Sequence, residues 1–471
     1  MRTRTLLQAA LVASVLLACA ARPRIVAREP LSGEADLFVY AQPFPVEAQK
    51  LAVTIRSVAA VTARGETVPL ELVRPVLSGR DARHQRLFAH GRLAPGAYAG
   101  LLVEVADATL RSDGGTANLL VPQEPTRIEA PFDVRSGGAR VLLLYLKPAE
   151  AIERNYGFTP AFAVATPEVP VTTLAGASSS TAWNDLFLFD KKARQVVAAV
   201  PTGREPRGIA IDERQRRAYV ALAGEDEVAV VDLVSAEVLS RVRLNAGDRP
   251  GPVALAQNGQ VLIVLNEGSY TVSFVDTATW NELGRTPVGP EPEWLVLDPS
   301  GRRAYVLSRR SNTITVVDTV ARTALNTAST EPEPLRAVLN SAGNRLYVTN
   351  AGSPYVTVFS VPSLASSDRI FVGLGAGAVL VDRRTDLLYV AMRDEPRVQV
   401  FDPFSLLPVD TIELPGPASW MVIDDVENTL FLLMPESRAI AVLDLASRAV
   451  LAVTDVGEDP YGLAIAGARG R

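Results

Sequence analysis

The sequence predicts an all-β protein: an N-terminal β-sandwich followed by a seven-bladed β-propeller. Three observations point there. An apolar strand ending in Asp returns about every 42 residues through the second half of the chain. Apolar/polar alternation over five or six residues, punctuated by Gly, Pro, Asn and Asp, runs through both halves, and no helical period of similar strength competes. The 471 residues are 48% hydrophobic and 21% charged, a globular composition that excludes a mainly disordered chain.

At the N-terminus, Arg2 and Arg4 precede an apolar run from Leu6 to Ala18. That run is shorter than the roughly 20 residues a membrane span needs, so residues 1–18 read as a signal peptide. It ends Leu16-Leu17-Ala18-Cys19, and Cys19 is the one cysteine of the chain. This ending resembles the lipobox of bacterial lipoproteins. The resemblance implies that Cys19 is acylated, that residues 19–33 are a lipid-anchored tether, and that the protein reaches the membrane of the bacterial cell envelope through its lipid. Ala20, where an Asp would favour inner-membrane retention in enteric-type sorting, implies the outer membrane.

Residues 34–166 carry alternating apolar runs such as DLFVYA, LAVTIRSV, YAGLLVEVADATL, RIEAPFDV and VLLLYL, with Gly or Pro between them. They read as a sandwich of eight or nine strands. The run LAPGAYAGLLVEVADATL and the strands after it resemble an uncharacterised β domain of bacterial lipoproteins. A stretch rich in Pro, Thr and Ser at 166–182 leads onward.

Residues 167–471 form the repeat. Its strand-end aspartates are Asp190, Asp232, Asp276, Asp318, Asp402 and Asp444, with Ser360 at the vacant beat. Tyr219, Tyr305, Tyr347, Tyr389 and Phe431 keep the same period, as do the loop prolines Pro206, Pro250, Pro292, Pro334 and Pro460. Each unit reads as four short strands, the pattern of a propeller blade. The C-terminus supplies only one strand of the last unit, YGLAIA at 461–466, and the remaining strands come from VTTLAG at 171–176, LFLFD at 186–190 and QVVAAV at 195–200. Pairing the two ends closes the ring and removes open sheet edges. Tyr347-Val348-Thr349-Asn350 followed by Ala351-Gly352 resembles the signature of the YVTN family of β-propeller repeats, which implies an envelope protein without implying an activity.

The residues restrict the chemistry. The formal charge is -5 and no Lys/Arg run could track a phosphate backbone, so nucleic acid is not an expected partner. The two histidines, His84 and His90, both lie before the repeat, which leaves no haem or copper ligation of the usual histidine type in the propeller. No metal, cofactor or catalytic residue is assigned. The repeated aspartates read as turn caps that accept backbone N–H groups.

One position departs from the repeat. Two residues after each loop proline, or after Ala376 and Ala418 in the two places where the proline is missing, at the entry of the innermost strand, stand Gly208, Pro252, Trp294, Arg336, Ala378, Trp420 and Gly462. Trp294 and Trp420 lie three units apart and are expected to face each other across a mouth of the central channel, with Arg336 between them and Tyr461 nearby. Two indoles, a phenol and a guanidinium fork suit a sugar, an acidic group or a peptide turn. The expected role is therefore non-enzymatic binding or scaffolding, with a protein or glycan partner. A lactone or glycan hydrolase using rim carboxylates such as Asp394 and Glu395 is the alternative, and a purely structural envelope component is the third reading.

Overall fold

The computed structural model describes residues 25–26, 33–79, 84–112, 115–153 and 157–468, so Cys19 and the proposed signal peptide lie outside the described residues. The second half of the chain is a β-propeller. Six of its four-stranded antiparallel units are separate sheets, one of them extended at its outer edge by Ile25–Val26. A further four-stranded run, Trp420–Asp424, Thr429–Met434, Ala439–Asp444 and Val450–Asp455, continues into the N-terminal strands.

Within a blade the burial pattern follows from blades stacking face to face. The second and third strands, such as Arg303–Ser308 and Thr313–Asp318, are buried on both faces and are nearly continuous hydrophobic runs. The outer strand Thr323–Ser329 is mostly exposed and correspondingly polar. Each stack shares one core: Tyr305, Leu307, Ile314 and Val316 pack against Ala337, Leu339, Leu346 and Val348 of the next blade. The repeated aromatics are core residues, with Tyr305 and Tyr347 both 0% exposed.

The strand-end aspartates are turn caps. Oδ1 of Asp318 accepts the backbone N–H groups of Val320 at 2.8 Å and Ala321 at 2.7 Å, and the same bonds recur at Asp190, Asp232, Asp276 and Asp402. These N–H bonds hold the carboxyls of Asp276 and Asp318 below the usual range. The unit that breaks the rule explains itself: two residues after Ser360 stands Pro362, which has no N–H to give an aspartate.

The two ends of the repeat pair as expected, but with a different entry strand. Ala175–Ser180, not 171–176, pairs antiparallel with Pro460–Ile465, and Thr172–Leu174 is a short 3-10 turn. The sequence AGASSS reads as linker because it is small and polar, yet all six residues are buried. Small side chains are required there, since a Cβ at Gly176 would lie 2.2 Å from the Phe189 ring. Lys191, Asp424 and Ala466 lock the join. The Lys191 ammonium sits 2.9 Å from the Asp424 carboxylate, with side chains 2% and 0% exposed, and donates to the Ala466 carbonyl at 2.7 Å. Removing one partner of such a pair costs about 3–5 kcal/mol.

The N-terminal strands form one hydrogen-bonded path: Ala139–Leu146, Ala35–Ala41, His84–Leu93, Thr67–Leu72, Leu51–Thr62 and Gly96–Ser112. Their own core gathers Leu37, Val39, Ile55, Val103, Phe132, Leu142 and Leu144. The alternate residues of the same strands, Phe38, Tyr40, Val141 and Leu143, pack instead with Phe187, Phe189 and Phe431 of the propeller. The strands therefore have apolar residues on both faces, as the sequences DLFVYA and VLLLYL require. Gln85 completes the joint, accepting from the Val196 N–H at 2.7 Å and donating to its carbonyl at 3.2 Å.

His90 is part of this joint. Its ring stacks on both Phe38 and Trp183, 4.8 Å from each, the three rings forming a cluster in which Phe38 and Trp183 are 5.5 Å apart, and its Nε2 lies 3.2 Å from Asp36 Oδ1. Close by, Asp185 is 1% exposed and neither carboxyl oxygen has a hydrogen-bond partner among the described residues. Burial, then Asp36, push its carboxyl well above the usual range, against the pull of Arg92. A group whose pKa is raised on folding stabilises the fold fully at low pH, and that contribution is lost as pH rises through the folded value. Asp185→Asn is accordingly expected to melt above the wild type at pH 8 and to approach it at pH 5; thermal melts at the two values check this, and a lower melting temperature at pH 8 would contradict it.

Candidate functional site

The innermost strand of each blade enters from one face of the ring, and its first residues line the channel mouth. Trp294 begins this lining in Pro292–Leu297, Arg336 in Pro334–Leu339, Trp420 in Trp420–Asp424 and Tyr461 in Pro460–Ile465. The two indoles do not stand apart. They meet edge to face, with ring centroids 4.9 Å apart and planes at 70°. Because they project from blades on opposite sides of the ring, this contact crosses the channel. Such a pair contributes about 0.5–1.5 kcal/mol beyond its burial.

Arg336 lies over the indoles and not between them, with its guanidinium carbon 4.5 Å from the Trp294 ring centre and 6.0 Å from that of Trp420. Its Nη1 donates to Glu293 Oε1 at 3.0 Å and to the Leu335 carbonyl at 3.0 Å. The indole of Trp294 is itself fixed, its Nε1–H donating to the Ala337 carbonyl at 3.0 Å. All of these side chains are half-buried, so the assembly is held from below and reaches solvent above.

A second layer repeats the scheme around Tyr461. Arg207 lies 5.5 Å from the Tyr461 ring centre and is paired to Glu267, with Glu205 at 3.7 Å. Burial raises the Glu267 carboxyl; Arg207 pulls it down and Glu293 adds to the rise. Burial, then Glu267, push the Tyr461 phenol up to about 12, with Glu293 adding to the rise and Arg336 and Arg207 opposing it. The mouth thus carries two indoles, a phenol and two guanidinium–carboxylate pairs.

The four residues singled out from sequence are all here. Arg207, Glu267 and Glu293 join them, and for two of these three the sequence carries a signal. Arg207, Glu293 and Tyr461 each stand one residue after a loop proline, so they form a ring of their own beside the ring of Trp294, Arg336 and Trp420. Glu267 comes from a neighbouring loop and has room only because residue 251 is glycine: a Cβ there would lie 2.0 Å from its Oε1. The other rim carboxylates do different work. Asp226 accepts the N–H groups of Gly247 at 2.8 Å and Arg249 at 2.7 Å, and Glu225 and Glu227 hold Arg241. Asp394 and Glu395 stay on the exposed rim, Glu395 paired with Arg397 at 2.7 Å. Among the described residues no three His, Cys, Asp or Glu side chains converge as metal ligands do, and no helix is long and apolar enough to cross a membrane.

No family model and no curated protein matches the chain. Among solved structures it is similar to a functionally unknown protein from Desulfotomaculum acetoxidans, with a TM-score of 0.55 and 15% identity over 62% of this chain and 98% of that one. It is also similar to the dihydro-heme d1 dehydrogenase NirN, solved in complex with DHE, with a TM-score of 0.51 and 13% identity over 64% and 78% of the two chains. At such identities the likeness is one of fold, and the fold is the β-propeller.

The electrostatics of the mouth can be read directly. At about pH 10, where an ordinary tyrosine is half ionised, Tyr461 is expected to contribute no phenolate absorbance. A spectrophotometric titration of wild type against Tyr461→Phe checks this, and a difference between them at that pH would mean that the phenol is not held in this cluster.

Proposed function

We propose that this chain is a lipid-anchored binding or scaffolding protein of the bacterial cell envelope, built as a seven-bladed YVTN-type propeller with an N-terminal β-sandwich, and that the channel mouth is where it binds. The seven-blade reading is supported by the four-stranded run from Trp420 to Asp455, which stands beside the six separate sheets. The sandwich reading is supported by the single core enclosed by the N-terminal strand path. The outer membrane is the proposed location, with Cys19 as the acylated residue.

The observation that carries the binding reading is the convergence of Trp294, Trp420, Arg336 and Tyr461, from four blades, on one partly open surface. Indole faces cover the apolar face of a sugar ring or a peptide turn, and the paired guanidinium and carboxylate groups meet its hydroxyls or amides. Rigid inner strands hold these groups in place, so little entropy is lost on binding. The exposure of Asp394 and Glu395, and the pairing of Glu395 with Arg397, count against a hydrolase built on those two residues.

Tagged protein used to capture partners from solubilised envelopes is expected to retain a protein or glycan that the Trp294→Ala/Trp420→Ala double variant loses. Equal capture by both forms would make the indole pair a structural plug. Cys19→Ser is expected to move the protein from the membrane to the soluble fraction, and a variant that stays membrane-bound would overturn the lipid anchor.

A further inference from the structure

We infer a second ligand site, for a small sugar carrying a carboxylate, in the cleft where the N-terminal strands meet the propeller. The cleft has a volume of about 550 Å³, and its lining includes Arg74, Arg86, Trp183, Asp455, Ser437 and Arg438. That size is in the range of small-molecule sites. It is separate from the channel mouth, and none of the residues discussed for the mouth lines it.

Its floor is built around one carboxylate. Asp455, with a side chain 6% exposed, accepts the Leu87 N–H at 2.9 Å and the Arg74 Nε–H at 3.0 Å on Oδ2, while Arg86 Nη1 stands 3.5 Å from Oδ1. Two guanidinium groups thus share one carboxylate, and one positive charge is left without a partner at the floor. Arg74 supplies the geometry. Its Nε is used, its side chain is 39% exposed, and its two terminal nitrogens make no hydrogen bond among the described residues. A guanidinium held by Nε with both ends open is a fork that takes a carboxylate in two parallel bonds.

The surroundings restrict what the carboxylate is attached to. Arg438 is already paired with Glu458 at 2.6 Å, so the rim adds little net attraction for a multiply charged anion, and Glu436 on the same rim opposes one. Trp183 is held flat by its stack on His90 and forms an apolar wall. An apolar face beside a single-charge fork matches a ring with one face of C–H groups and one carboxylate, as in a uronic acid.

Calorimetric titration of the full chain with D-glucuronate, glucose and inorganic phosphate tests this. Saturable binding of glucuronate is expected, with glucose and phosphate each about tenfold weaker or more. Arg74→Gln is expected to weaken glucuronate by about tenfold while leaving glucose unchanged. Arg74 also braces Asp455, so Ser437→Trp, on the exposed rim, provides a control that fills the cleft without touching the floor; it is expected to abolish binding at an unchanged melting temperature. Absence of glucuronate binding, equal binding of glucose, or binding that survives Ser437→Trp would overturn the site. Phosphate binding as tightly as glucuronate would overturn its assignment to a sugar acid.

Discussion

The structure depends on one strand pairing, that of Ala175–Ser180 with Pro460–Ile465. A propeller blade buries its inner strands only when another blade covers each face, and the series of blades is complete only if the first and last share a sheet. The pairing joins segments nearly 300 residues apart in sequence, so it carries a large loop-closure entropy that its many contacts must offset. The small side chains of AGASSS let the strand fit between its neighbours, and the buried Lys191–Asp424 pair ties the closing blade to the preceding one.

The N-terminal strands cover this join. Phe38, Tyr40, Val141 and Leu143 pack on Phe187, Phe189 and Phe431, which come from the closing blade and its neighbour. The parallel pairing of His84 and Gln85 with Val453 and Thr454 makes the two sheets continuous there. The outer strand Val450–Asp455 is thereby paired, and Gln195–Pro201 of the closing blade is held at Val196 by Gln85, whereas an outer strand such as Thr323–Ser329 stays exposed. The cost is a set of titratable groups taken out of water, among them Asp185, Tyr40 and Asp455.

At the channel mouth the same architecture does chemical positioning. Inner strands bring residues that lie 42 or 126 apart in sequence to within contact distance, and the backbone carbonyl of Ala337 fixes the Trp294 indole before any ligand arrives. Guanidinium groups lie over aromatic faces at Trp294 and at Tyr461, and each guanidinium is tied to a carboxylate. The outcome is a nearly neutral, rigid polar surface with aromatic faces.

The all-β class, the blade period, the turn role of the strand-end aspartates and the candidates Trp294, Arg336, Trp420 and Tyr461 can all be read from the order of residues alone. These are legible because a period of about 42 superimposes equivalent positions, so that a departure such as a tryptophan among small residues stands out. The folded chain alone reveals that the entry strand is 175–180, that the indoles touch, and that Arg207, Glu267 and Glu293 complete the mouth. It also reveals that the N-terminal strands and the propeller share one apolar joint. Those facts depend on which side chains meet across the ring and across the joint. Hydrophobic alternation records that a face is buried, but not what buries it.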